Sequence, residues 1–178
     1  IDLDGYSTDQ DGFFLIGNQA VTPQPSIIIN NNSLQNGADA VAIFAGDAED
    51  FVNDTPVTGI SLVDALVYDT FDSDDNGLLS VLTPGQEQQN EGAAGDKDNH
   101  SNARVPDGGK AIDTSNYLQQ VSTPGASNVP VAEIYAIQGT GMKSPFEDSF
   151  VKSLGNIVTA IDTNGFFMQT PVSRSDNN

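Results

Sequence analysis

The apolar residues of this chain never recur at helical spacing over a useful length. They come in short β-branched or aromatic runs, each bounded by Gly, Pro, Asn or Asp, and that punctuation restricts the fold to strands joined by turns. The runs predict strands over residues 13–16, 26–30, 38–44, 62–68, 117–121, 131–137, 157–161 and 165–169; only 145–154 hints at helix. Asn30-Asn31-Asn32, Asn36-Gly37, Asn76-Gly77 and Asn164-Gly165 supply turn residues that accept positive φ at low cost. Short strands at this spacing predict an all-β sandwich or barrel. Residues 85–109 hold almost no large apolar side chain and read as one long surface loop.

A chain of 178 residues makes one ordinary domain or two small ones. The stretch Ser122-Thr123-Pro124-Gly125-Ala126-Ser127-Asn128-Val129-Pro130 reads as a boundary, giving units 1–128 and 129–178. Acidic side chains outnumber basic ones 25 to 6, the net charge is -19, and 20 of the 25 are Asp. Phosphate neutralisation needs clustered Lys and Arg, so direct nucleic-acid binding by this stretch is not expected. No apolar run approaches the roughly 20 residues that span a bilayer, so membrane insertion is not expected either. Without cysteine there is no disulfide, thiolate metal site or thiol nucleophile.

The main chemical signal is Asp69-Thr70-Phe71-Asp72-Ser73-Asp74-Asp75-Asn76-Gly77. Asp72, Asp74 and Asn76 reproduce the first, third and fifth ligand positions of a calcium loop, with Gly77 at the sixth. Ca²⁺ takes six to eight oxygens, and alternate residues on a tight turn can present them to one point. The twelfth position is Thr83 rather than the bidentate Glu, so a solvated acidic turn is the competing reading. Asp2, Asp4, Asp9 and Asp11 form a second oxygen-rich group; an extended Asp2-Leu3-Asp4 puts two carboxylates on one face, and the favoured reading is a strand edge facing water. His100, the lone histidine, reads as a solvated loop residue, because nothing selects a Ser or Asp to act with it. The pairs Phe13-Phe14 and Phe166-Phe167 read as strand aromatics with at least one ring of each pair in the core.

Three stretches carry a resemblance. Asp2-Leu3-Asp4-Gly5-Tyr6-Ser7-Thr8, Gly12-Phe13-Phe14-Leu15-Ile16-Gly17-Asn18 and Leu34-Gln35-Asn36-Gly37-Ala38-Asp39-Ala40-Val41-Ala42-Ile43-Phe44 resemble the core of a bacterial lamin-tail-like domain. Arg104-Val105-Pro106-Asp107-Gly108-Gly109 with Thr123-Pro124-Gly125-Ala126-Ser127-Asn128 is similar to that domain's closing signature. Glu133-Ile134-Tyr135-Ala136-Ile137-Gln138-Gly139-Thr140-Gly141, Ser144-Pro145-Phe146, Gly155-Asn156-Ile157-Val158-Thr159-Ala160 and Asn164-Gly165-Phe166-Phe167-Met168-Gln169-Thr170-Pro171 resemble the OB-like module preceding the catalytic domain of secreted bacterial nucleases. The resemblance implies an immunoglobulin-like β-sandwich over 1–128, lacking its first strands, and the N-terminal part of an OB-like β-barrel over 129–178. It also implies a chain cut at both ends, secreted or on the cell surface, with a downstream endonuclease/exonuclease/phosphatase-family domain in the same parent chain. No catalytic residue carries over. The expected function is a non-catalytic accessory region serving spacing, stability or attachment; the alternative is a structural or adhesive module with an extracellular matrix or surface partner.

Overall fold

The computed structural model describes residues 1–129, 131–147, 150–153 and 155–175. The protein is all-β, its strands gathered in small sheets with few helical turns. The chain divides into two compact units, Ile1–Asn128 and Val129–Asn178.

In the first unit, β1 (Ile16–Gly17) and β2 (Ile27–Ile28) form a short parallel pair. Strand β3 (Asp39–Phe44) runs antiparallel to β4 (Leu62–Asp69). Alternation sorts their side chains: Ala40, Ala42 and Phe44 turn inward, whereas Val41 and Ile43 are exposed. On β4 the inward set is Ala65, Val67 and Asp69, all buried. Helix α1 (Asn76–Leu82) covers that face with Leu78, Leu79 and Leu82 and closes the small core around Val67. Strand β5 (Gln89–Asn90) adds to the far edge of β4 in parallel. Strands β6 (His100–Arg104) and β7 (Tyr117–Val121) make a separate antiparallel pair, with Arg104 opposite Tyr117.

In the second unit, helix α2 (Ile134–Gln138) precedes an antiparallel hairpin of β8 (Ile157–Asp162) and β9 (Gly165–Gln169). Gly139 ends α2 at φ 66°, and a Cβ there would lie 2.7 Å from the Pro145 ring, so this corner requires glycine. Arg174 anchors the end of the unit, pairing with Glu133 at 3.2 Å and donating to the Gly155 carbonyl at 3.0 Å.

Four expectations need correction. Residues 131–137 do not form a strand: Val131 makes one isolated bridge to Lys152, and the chain then turns into α2, whose cooperative i→i−4 bonds override β-branched propensity. Residues 145–147 form a turn rather than helix, while Asp148, Ser149 and Leu154 of that expected segment lie outside the described residues. The polar stretch 85–109 is no single loop, because it contains β5 and β6. Helix α1 begins at Asn76, where a turn was expected.

Candidate functional site

The acidic turn after β4 is organised by an amide. Asp69 continues the inward face of β4 and is 2 % exposed, so its carboxylate lies out of water. Gln88, just before β5, donates from Nε2 to Asp69 Oδ2 at 2.8 Å, and its Oε1 accepts the Asp75 N–H at 2.9 Å. Asp75 in turn caps α1, with Oδ1 accepting the Leu78 N–H at 2.9 Å. The neighbours of Gln88 tie the same turn. Asn90 Oδ1 accepts from the Gly92 and Phe71 N–H groups, Glu91 N–H donates to the Asp69 carbonyl, and Thr70 Oγ1 donates to Glu91. Phe71 is held at φ 65°, and its ring lies so close to Gly92 that a Cβ there would be 2.4 Å from Cε2.

Asp72, Asp74 and Asn76 are exposed on this turn. Asn76 is the first residue of α1, and Gly77 lies within the helix rather than at the sharp positive-φ turn a calcium loop places there. Among the described residues, no three or more His, Asp or Glu side chains are grouped to hold a metal ion. The sequence pattern reveals the oxygen-rich turn but not Gln88, which acts across 19 positions in the chain. Asp69 Oδ1 is buried without a hydrogen-bond partner.

The other candidates have local duties. Asp2 Oδ1 accepts the Asp4 N–H, and Asp9 Oδ1 accepts from Asp11 and Phe13, each at 2.9 Å, so these carboxylates cap exposed turns. His100 is not a solvated loop residue: it opens β6 opposite Val121, with Nδ1 buried. Phe13 and Phe14 are half-buried, Phe14 lying edge-on to Tyr6 with ring centroids 5.7 Å apart. Phe166 and Phe167 are 62 % and 64 % exposed, so neither is in a core, contrary to expectation, because both faces of the β8–β9 hairpin are open.

A second constellation lies around Arg104. Its guanidinium makes two bonds to Asp64 of β4, at 2.9 and 3.3 Å, while Ile112 N–H donates to the same carboxylate at 2.7 Å. The Tyr117 ring centroid is 5.0 Å from the guanidinium carbon. Burial pushes the Asp64 carboxyl up, but Arg104 and the Ile112 and Ala65 amides outweigh it and leave the group below the usual carboxylate range. Burial opposes the Arg104 charge, yet Asp64 and Tyr117 hold its pKa above the ordinary value. Burial pushes the Tyr117 hydroxyl up.

The segments that carry the closing resemblance meet here. Asp107 accepts from Ser127 Oγ and from the Asn128 N–H at 2.9 Å; Asn128 Nδ2 donates to the Arg104 carbonyl at 3.0 Å; and Gln120 donates to the Asn128 carbonyl at 2.9 Å. An open cleft of about 1140 Å³ lies over this clasp, lined by Phe13, Phe14, Arg104, Asp107 and Tyr117 among others. Because Asp64 already meets the Arg104 charge, the cleft has little capacity to attract an anion. Compared with known protein families, curated proteins and solved structures, the chain matches none. No helix among the described residues is long and apolar enough to cross a membrane.

Proposed function

We propose that this chain is a non-catalytic accessory region of a secreted bacterial nuclease or related extracellular phosphodiesterase, serving spacing, stability or attachment beside a downstream catalytic domain. In this reading the first unit is an immunoglobulin-like, lamin-tail-like sandwich and the second the start of an OB-like barrel. The observation that carries it is the clasp: Arg104, Asp107 and Asn128, which bear the resemblance, are spent on internal bonds that fasten chain segments to one another. Side chains so engaged build a scaffold rather than activate a nucleophile or stabilise charge on a phosphate. The charge supports the same division of labour, since a net -19 repels a polyanionic substrate before chemistry begins.

The exposed hairpin favours an OB-like module completed by further strands of the parent chain. A two-stranded ribbon is marginal alone in water, and β8 and β9 expose Ile157, Val158, Ile161, Phe166, Phe167 and Met168. The same apolar surface is what the second reading uses, a structural or adhesive module of a cell-surface or filament-associated protein.

A plasmid-nicking assay with Mg²⁺ or Ca²⁺ tests the leading reading. Residues 1–178 are expected to leave the plasmid intact, and the parent chain extended beyond residue 178 is expected to nick it. Turnover by residues 1–178 overturns the non-catalytic assignment, and inactivity of the extended chain moves the assignment to the adhesive reading.

A further inference from the structure

The chain contains three Asn-Gly pairs, 36–37, 76–77 and 164–165, and places each in a different backbone setting. Asn-Gly is the dipeptide in which a backbone nitrogen most readily reaches the preceding side chain, because glycine presents no Cβ to obstruct the approach. Whether it does so depends on the freedom of the Asn ψ angle and of the glycine N–H.

Asn76 and Gly77 open helix α1, whose ψ angles hold the nitrogen of residue 77 away from the Asn76 side chain, and a substituent at Gly77 would meet Asp75 Oδ1 at 3.0 Å. Gly165 closes the β8–β9 ladder opposite Asp162, so the 164–165 peptide is held in a hairpin turn. Asn36-Gly37 differs from both. It lies in a bend between β2 and β3 with Asn36 exposed, and among the described residues nothing hydrogen-bonds to the Asn36 amide or the Gly37 N–H. The surroundings of Gly37 are open too: the one atom within 4 Å of a Cβ built there is Asp72 Oδ2, at 4.0 Å.

We propose that Asn36 is a site of spontaneous deamidation, a covalent change that installs a negative charge beside the acidic turn. The Gly37 nitrogen attacks Asn36 Cγ, the C–NH₂ bond breaks, and ammonia leaves with the proton released from the attacking nitrogen. Water then opens the five-membered succinimide at either carbonyl, giving aspartate or isoaspartate. One water is consumed, one ammonia is released, and no oxidant or cofactor takes part. The new carboxylate arises on the residue before Gly37, and Asp72 Oδ2 lies 4.0 Å from a Cβ built at Gly37, so negative charge is added in the neighbourhood of the acidic turn. In the isoaspartyl product an extra backbone methylene enters the chain three residues before β3 begins at Asp39.

The test is to incubate the purified chain at mildly alkaline pH below its melting temperature, sample it over days, and map the products by proteolysis and tandem mass spectrometry. A parallel sample in concentrated urea supplies the unrestrained rates. In urea all three pairs should convert at similar rates. In buffer Asn36 should convert several-fold faster than Asn164, with Asn76 slowest, and an earlier, more acidic species should be absent from Asn36→Gln. Equal rates at the three pairs in buffer, or conversion of Asn164 or Asn76 ahead of Asn36, overturns the proposal. So does an Asn36 that converts in urea but remains intact in buffer.

Discussion

Arg104 and Asp64 lie 40 positions apart, and theirs is the less exposed of the two ion pairs among the described residues of the first unit, the arginine and its partner being only 15 % and 26 % exposed. A fully exposed pair contributes at most about 1 kcal/mol and breaking a fully buried one costs about 3–5, so this partly screened pair falls between them, at about 2 kcal/mol for Asp64→Asn. The pH dependence has a definite sign. The Asp64 pKa is lowered in the folded state, so its contribution is complete well above the ordinary value of 3.8 and is lost as pH falls below that value through the lower folded-state pKa. Denaturant melts of the native chain and Asp64→Asn should therefore differ by a constant amount near neutrality and converge in acid. A difference that stays the same through that window would mean that the carboxylate's charge is not what stabilises the clasp.

At the scale of elements, Gln88 ties the start of helix α1 to the end of β4 in addition to the apolar contacts that α1 makes. Removing its amide leaves the buried Asp69 carboxylate without its donor and the Asp75 N–H without its acceptor, and each buried loss of this kind costs about 1–3 kcal/mol. Gln88→Ala should lower stability by that order, whereas Gln89→Ala, whose side chain reaches only the neighbouring Glu87 carbonyl, should change it by less than about 0.5 kcal/mol. Equal effects would show that the amide bridge is dispensable. The same helix start bears on calcium. Asn76 is the first residue of α1, and Gly77 lies inside the helix rather than at the sharp turn of a calcium loop. Melting curves with millimolar Ca²⁺ and with chelator should therefore coincide; a Ca²⁺-dependent rise that disappears in Asp72→Ala and Asp74→Ala would establish the ion site instead. These elements also mark the limit of what the sequence discloses. Strands β7 and β9 are legible to the residue because β-branched or aromatic runs and turn residues define them locally. Strands β5 and β6 are hidden because Gln, Asn, His and Arg form them, held by hydrogen bonds such as Asn102 Nδ2 to the Gln89 carbonyl rather than by an apolar face. Helix α1 is hidden because seven residues beginning Asn-Gly look like a turn until the leucines are seen against Val67. At the site, the carboxylates are legible as a pattern, but the amide that organises them is one glutamine among several until the fold brings it to Asp69.

The two units differ in charge as well as in structure. Residues 1–128 hold 20 acidic and three basic side chains, a net -17, whereas 129–178 hold five and three, a net -2. Composition places the boundary within a proline- and glycine-punctuated stretch, and the hydrogen bonds of that stretch narrow it. Gln120, Thr123, Ser127 and Asn128 are all bonded within the first unit, through Asp107, the Arg104 carbonyl or one another, so the polypeptide up to Asn128 is fastened down. In the second unit Val131 bridges to Lys152, and the Ala132 N–H donates to the Lys152 carbonyl at 3.0 Å. Proteases need several residues of unfastened backbone, so a cut inside 120–128 requires the clasp to open first. Limited proteolysis with a low-specificity enzyme should therefore spare residues 120–128, so that an N-terminal fragment released from the second unit extends at least to Asn128. The charge difference makes the result easy to read, because a -17 fragment is retained on an anion exchanger far longer than its -2 companion. Intact-mass measurement of the retained species locates the cut. A first cut within 120–127 would show that the Asp107–Asn128 clasp does not hold in solution. In Asp107→Ala, which removes the acceptor for Ser127 and Asn128, the first cut should shift into that segment.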